Sequence, residues 1–560
     1  MKRLFIIYLL LISFTSVAQQ ANDTVKTEVI SVTRSFTPKV QDAYKLDVNP
    51  QKENIVEKKI PVTYKIQSVP VASTFAPEKG RMANFNAGTS IEQSLPSYVS
   101  IAGGNYLNIE GDAFIYYPVT DKFGSALRLS HYSSQGGETD KNIIYDPYYH
   151  TTADLLFDFS SGKSQWNLDL AYLSNIDRVK INPDIMSASI SPISDENLNR
   201  KNNDFRFKID GKFKDFFVKD AHLSFDSFWE NFDNSEAKFK GLSKLSFPIG
   251  NFNLNMGIQA DLVSGKVGKN KIGDIDTNAK NSYNNSDFGI LPAVQIENDN
   301  LIFNLGAKIF YQNQDTLYKK LQLIPDVNIN LNLIYEKLTV FAGVTGDIKQ
   351  NSYVQHSVNN PYLLPENAML PSLTPYDVFG GFNGAFSSAF SYEVKLGYRL
   401  IKNHPFYLQS ESNYLYYTMI FDDMSQSYFE TALNIGLGKK LDLKLHLNYM
   451  QNNPEHLKKA IMMPDYSFKS LLNFHPNDKI QFNIELNNIG SRTIDILAKK
   501  SIAGYTDLNL GIRYNVNKQF TAFIKGLNLL NESYEKYAGY PVQKIQILGG
   551  VSYRFDIPNN

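Results

Sequence analysis

No cysteine occurs anywhere in the 560 residues. That one absence removes disulfides, thiolate metal sites, cysteine nucleophiles and lipid attachment at a mature N-terminal cysteine together. Any hold on a membrane has to come from the fold itself. Net charge is missing too, since 56 basic residues balance 56 acidic ones and charged residues make up only 20% of the chain. A nucleic-acid partner, which needs a basic footprint, is disfavoured. Past the first residues no apolar run is long enough to cross a bilayer as a helix, which sets a helical membrane protein aside. Tryptophan is scarce, at 2 residues, but 34 Tyr and 37 Phe remain. That aromatic load suits strands and the interfacial girdles of membrane barrels.

Signatures of chemistry are equally sparse. None of the eight histidines forms a pair at metal-binding spacing on a helix. Gly103-Gly104 and Gly380-Gly381 have no following lysine motif or helix, so they read as bends or bulges rather than phosphate loops. His222, Ser224 and Asp226 lie at i, i+2 and i+4 on one strand face, whereas a working triad draws its members from separate elements. A polar interior explains them more simply. Asp422, Asp423 and Asp465 sit at loop edges, where solvated carboxylates are the default and a calcium site is the alternative. Pro454 to Met463 is mildly amphipathic and suggests a short helix resting on a rim. The sequence therefore predicts no enzyme, no cofactor, no metal site and no catalytic residue.

What the chain does have is alternation. Phe205, Phe207, Ile209 and Phe213 share one face, with Arg206, Lys208, Asp210 and Lys212 on the other. Phe252, Leu254, Met256, Ile258 and Leu262 stand against Asn253, Asn255, Gln259 and Asp261, and the pattern returns at Val327–Leu333 and Ile480–Asn487. The last three strands, between Ala503 and Phe555, repeat it and end on an aromatic residue. This is period two with an apolar outside. Connections alternate as well: tight joins such as Asp121-Lys122, Glu336-Lys337 and Asn517-Lys518 separate long polar loops around 134–149, 181–202, 265–284, 351–375, 403–424, 452–463, 492–502 and 531–542. A soluble sandwich or propeller also alternates, but its strands run shorter and its joins lack this two-rim pattern. The expected fold is all-β: a transmembrane antiparallel up-and-down β-barrel of about 22 strands. Asn84–Gln93 and Tyr98–Tyr106 compete for the first strand.

Before the barrel, Lys2 and Arg3 precede an apolar run from Leu4 to Phe14 and then Ser16-Val17-Ala18. This predicts a secretory signal peptide, residues 1–18, cut after Ala18. Residues 19–82, with Pro38, Pro50, Pro61, Pro70 and Pro77, read as an extended periplasmic leader or minimal plug. Residues 83–560 form the barrel, and the expected location is a bacterial outer membrane.

Three stretches carry a family resemblance. Thr27-Glu28-Val29-Ile30-Ser31-Val32-Thr33 resembles the TonB box of TonB-dependent receptors, which adds as a strand to the energy-transducing partner. Asn360-Pro361-Tyr362-Leu363-Leu364-Pro365-Glu366 is similar to the NP-x-L-x-P-E signature of that family. Gly526 to Asn531, Tyr534, Gly539-Tyr540-Pro541 and Val551 to Phe555 resemble its last hairpin. The chain looks most like plug-poor, receptor-like barrels of the Bacteroidota. It departs in its leader, of roughly fifty residues after Thr33, too short to bury a core of its own, and in Asp556–Asn560, which follow the terminal aromatic. The resemblance implies nutrient uptake, with outer-membrane lipid and TonB or another periplasmic protein as partners. Two alternatives stay open: a non-transporting barrel subunit with an outer-membrane lipoprotein partner, and a passive channel.

Overall fold

The computed structural model describes residues 97–557 apart from 137–147, 179–198, 251, 269–270, 273–274, 277–281, 315–318, 364–368, 388, 410–416, 439 and 498. The predicted signal peptide, the leader with Thr27–Thr33, and Asn84–Gln93 lie outside the described residues, as do Leu364, Pro365 and Glu366.

The described chain forms a 22-stranded sheet in which each strand pairs antiparallel with the next. The sheet closes on itself, with Ser97–Gly104 running against the last strand, Gln546–Phe555, from Ser97↔Phe555 to Gly104↔Leu548. Closure removes the free edge, so every strand has its ladder on both sides. The first strand is therefore Ser97–Gly104, close to the second of the two candidates read from the sequence.

Alternation decides which way each side chain points. Ile258 is 49% exposed, Ile290 53% and Leu305 53%, all on the outer face. A continuous apolar belt of this kind has no place in water. It is satisfied only by hydrocarbon around a closed barrel. Inner-face side chains pair with one another instead: Asn255 Nδ2 donates to Gln295 Oε1 at 3.1 Å, Arg128 meets Asp154 at 3.2 Å, and Arg206 meets Asp204 at 2.6 Å.

The rim at which Ser97 and Phe555 pair is built from tight turns with clear local causes. Asn517 Oδ1 accepts from the backbone of Gln519 and Phe520, and Asn477 does the same for Lys479 and Ile480. Such Asx turns explain why amides punctuate this rim. Gly250 and Gly438 supply the left-handed conformation at two further turns, with φ of 61° and 60°.

Three sequence expectations need correction. The loop expected over 403–424 is mostly strand, because Phe390–Gln409 and Tyr417–Leu437 run as a long hairpin beyond the rim. A bulge between Ile401 and His404, with Asn403 at φ 52°, permits the extension. Pro454–Met463 forms bends rather than a helix. Its Leu457, Ala460 and Ile461 pack on Phe406 and Met424 of that hairpin, so the apolar residues serve a small core. Gly380-Gly381 lies in regular register. There the absent side chain allows close approach, since a Cβ on Gly381 would stand 2.2 Å from the Val394 carbonyl oxygen.

Candidate functional site

The connection from Leu338–Lys349 to Ser372–Ser387 contains the single α-helix among the described residues, Tyr353–Asn359. Seven residues cannot hold a helix in water by propensity alone. Tertiary contacts hold this one, and they tie the connection to three separated sectors of the long-loop rim, making it a strap.

The first anchor is a buried ion pair. Arg200, at the head of the strand Asn199–Phe213, meets Glu230 at 2.7 Å, with side-chain exposures of 2% and 0%. Arg200 also donates to the carbonyls of Pro361 at 2.7 Å and Leu363 at 2.9 Å, and to the Tyr353 hydroxyl. Tyr353 donates to Glu230 Oε1 at 2.7 Å, and Asn234 donates to the same oxygen. Burial, with Glu230 beside it, holds the Tyr353 phenol well above its ordinary pKa, so it stays a neutral donor.

The second anchor caps the helix from another strand. Ser352 makes no side-chain cap of its own. Instead Glu236 accepts from the Tyr353 backbone N–H at 2.7 Å and from the hydroxyls of Ser352 and Tyr283. A carboxylate at the orphan N–H groups of a helix start is the stabilising sign of charge. Nearby, Gln350 donates to Asp287 at 2.5 Å and Asn285 to the Met369 carbonyl at 2.7 Å.

The third anchor is aromatic. Tyr362 stacks on Tyr540 with centroids 3.4 Å apart, and Tyr537 packs edge-on against Tyr362 and Tyr417. Tyr537 donates to the Asn359 carbonyl, and Tyr417 N–H donates to the Tyr362 carbonyl at 3.0 Å. His356 Nδ1 pairs with the Tyr407 hydroxyl at 2.7 Å. Burial, together with the charges of Lys349 and His404, lowers the His356 pKa to about 4. Arg492 holds the last hairpin loop by donating to the carbonyls of Lys536 at 2.7 Å and Glu535 at 2.6 Å.

The receptor-like stretches meet here. Described parts of the NP-x-L-x-P-E segment, Asn360–Leu363, lie in the strap, and Tyr540 of the last hairpin stacks on it. Other residues singled out from the sequence have separate partners. His222 pairs with Asp210 of the neighbouring strand at 2.7 Å, with no triad geometry toward Ser224 or Asp226. Asp422 is an anchor for the bends that follow, accepting from the backbone of His456 at 2.9 Å and Leu457 at 3.0 Å. Asp423 accepts from Asn403 N–H at 2.9 Å. Among the described residues no three acidic or histidine side chains gather as a metal cluster.

Sequence reasoning missed Arg200, Glu230, Glu236 and Tyr353. Arg200 fell inside an expected loop, and the partners are separated by up to 163 positions. The one available signal was a lone arginine and two glutamates near strand ends, which any polar rim also shows.

No protein-family model and no curated protein matches the chain. Solved structures do. The siderophore receptor PirA from Acinetobacter baumannii matches with a TM-score of 0.61 at 10% identity, over 82% of this chain and 80% of that one. A ferric enterobactin receptor, PfeA, from Pseudomonas aeruginosa gives 0.60 at 12%, over 82% and 80%. The ferric-catecholate import receptor Fiu from E. coli gives 0.59 at 11%, over 82% and 81%. At such identities the likeness is one of fold.

Proposed function

We propose that this chain is an outer-membrane uptake barrel of the TonB-dependent kind, plug-poor as in the Bacteroidota type, that admits a nutrient too large for a simple pore. One observation carries the reading: a closed 22-strand barrel whose fold matches receptors described as siderophore, enterobactin and ferric-catecholate receptors. A barrel of that circumference encloses a lumen wide enough to need closing, and the strap lies at the mouth where a solute would arrive. Energy coupling would run through Thr27–Thr33, added as a strand to TonB's sheet. The test is growth under iron limitation on a panel of ferric chelates, comparing the intact chain with one lacking Thr27–Thr33. Loss of growth on one chelate supports the reading, and unchanged growth on every chelate counts against it.

The strap itself favours a second reading. Its anchors are buried and span three sectors, as suits a mouth kept shut in a non-transporting subunit that docks a lipoprotein. Purification in mild detergent separates the two: a stoichiometric lipoprotein partner supports the second reading, and a lone monomer the first.

A further inference from the structure

We propose that the lumen wall near the short-turn rim carries a binding pocket for an oxyanion group, a carboxylate or phosphate, on a solute in transit. The proposal deepens the uptake reading and rests on it. Register builds the pocket. Lys444, Leu471, Glu485 and Asn509 make one row across four inward faces, and Asn473, Asn483, Gly511 and Lys525 make the next. Gln481, Arg513 and Phe523 make a third. Together they line a cavity of about 320 Å³, the size that holds a small ligand.

Gly511 is its floor. At two other wall positions the glycine makes room for a neighbouring ring: a Cβ would stand 2.4 Å from Phe310 at Gly289 and 2.5 Å from Tyr428 at Gly397. At Gly511 a Cβ would meet nothing closer than Asn483 at 3.7 Å. The adjacent ring, Phe523, lies over Gly550 instead, 2.4 Å from where that Cβ would be. Among the described residues the hollow is thus left open by the packing rather than filled by it.

Charge names the occupant. The lining holds four cations, Lys444, Lys469, Arg513 and Lys525, against one carboxylate, Glu485. Lys469 is paired with Glu485 at 3.4 Å and Lys525 with Glu110, while Lys444 reaches Asp442 only at 3.9 Å. Arg513 has no carboxylate partner among the described residues, and Arg554 adds a second cation within electrostatic range. A guanidinium fork with no carboxylate partner among the described residues, facing that hollow, matches the two oxygens of a carboxylate or phosphate. Leu471 and Phe523 offer apolar wall to whatever carries the group.

Isothermal titration of the purified full chain in detergent, with citrate and with inorganic phosphate as separate probes, tests this directly. The native chain should bind at least one of them, less tightly as salt rises. Arg513→Gln should weaken binding at least about tenfold, the effect of one charge-assisted pair. Gly511→Leu, which fills the floor, should abolish it. Heat-modifiable mobility on gels confirms that each variant is a folded barrel. No binding of either probe by the native chain overturns the proposal, as does equal binding by folded Arg513→Gln and Gly511→Leu. Binding in detergent needs neither TonB nor transport, so a failure here is distinct from unchanged growth in the chelate test.

Discussion

Replacing Glu230 by Gln gives the sharpest test of the strap. The change keeps the volume of the side chain and removes its charge. Arg200 would then sit at 2% side-chain exposure with no contacting carboxylate, only neutral oxygens: the new amide, the Pro361 and Leu363 carbonyls and the Tyr353 hydroxyl. Breaking an exposed ion pair costs about 0–1 kcal/mol. Stranding one partner of a buried pair costs about 3–5 kcal/mol. Because the pair ties the strap, the loss should fall on strap opening and leave the 22-strand ladder intact. At 1.4 kcal/mol per tenfold, the open population should rise about 10²–10⁴-fold. Hydrogen exchange of the Tyr353–Asn359 peptide, read by mass spectrometry, measures this, with single-channel conductance in planar bilayers as a second readout. The paired change Arg200→Met with Glu230→Leu should recover much of the protection, since apolar replacement of a buried pair is often neutral. Unchanged exchange in Glu230→Gln would refute the reasoning. A double variant as labile as the single one would show that shape rather than charge holds the strap.

Acid should loosen the same element. The folded His356 pKa, about 4, lies below its ordinary value, so the unfolded state binds the extra proton first. Stability present above pH 6.5 is then lost as pH falls from 6.5 toward 4, by about 3 kcal/mol at most. Faster exchange of the helix at pH 4.5 than at pH 7, with a smaller difference in His356→Gln because His404 beside it is lowered to about 4 as well, is the expected result. At the closure seam, Gly104→Ala should lower the temperature of heat-modifiable unfolding, because its Cβ would lie 2.3 Å from the Ile547 carbonyl oxygen. Gly549→Ala, with nothing within 4 Å, is the neutral control. On the outer belt, Ile258→Lys should cost about 2–4 kcal/mol of barrel stability in a lipid refolding titration. Asn255→Lys, facing inward, should cost far less.

The barrel was legible in the sequence because its rule is local. A pleated strand sends successive side chains to opposite faces, so Phe205, Phe207 and Ile209 against Arg206, Lys208 and Asp210 display the lipid and lumen sides before any folding. Asn517 and Asn477 likewise announce turns through bonds only two and three residues long. Strand number, antiparallel order and closure follow from such repeats, since an open edge in hydrocarbon has no partner.

Tertiary structure alone decided what crosses the mouth and where the wall is hollow. The strap helix has no self-contained signal because Glu236, 117 positions away, supplies its cap. Pro454–Met463 read as a helix because period and polarity cannot reveal that Phe406 and Met424 already await its apolar side chains. Gly511 looks like any strand glycine until the register sets Asn483 beside it and Phe523 turns toward Gly550. Contacts of that reach depend on which strands the closed cylinder brings opposite one another, and no local pattern encodes that.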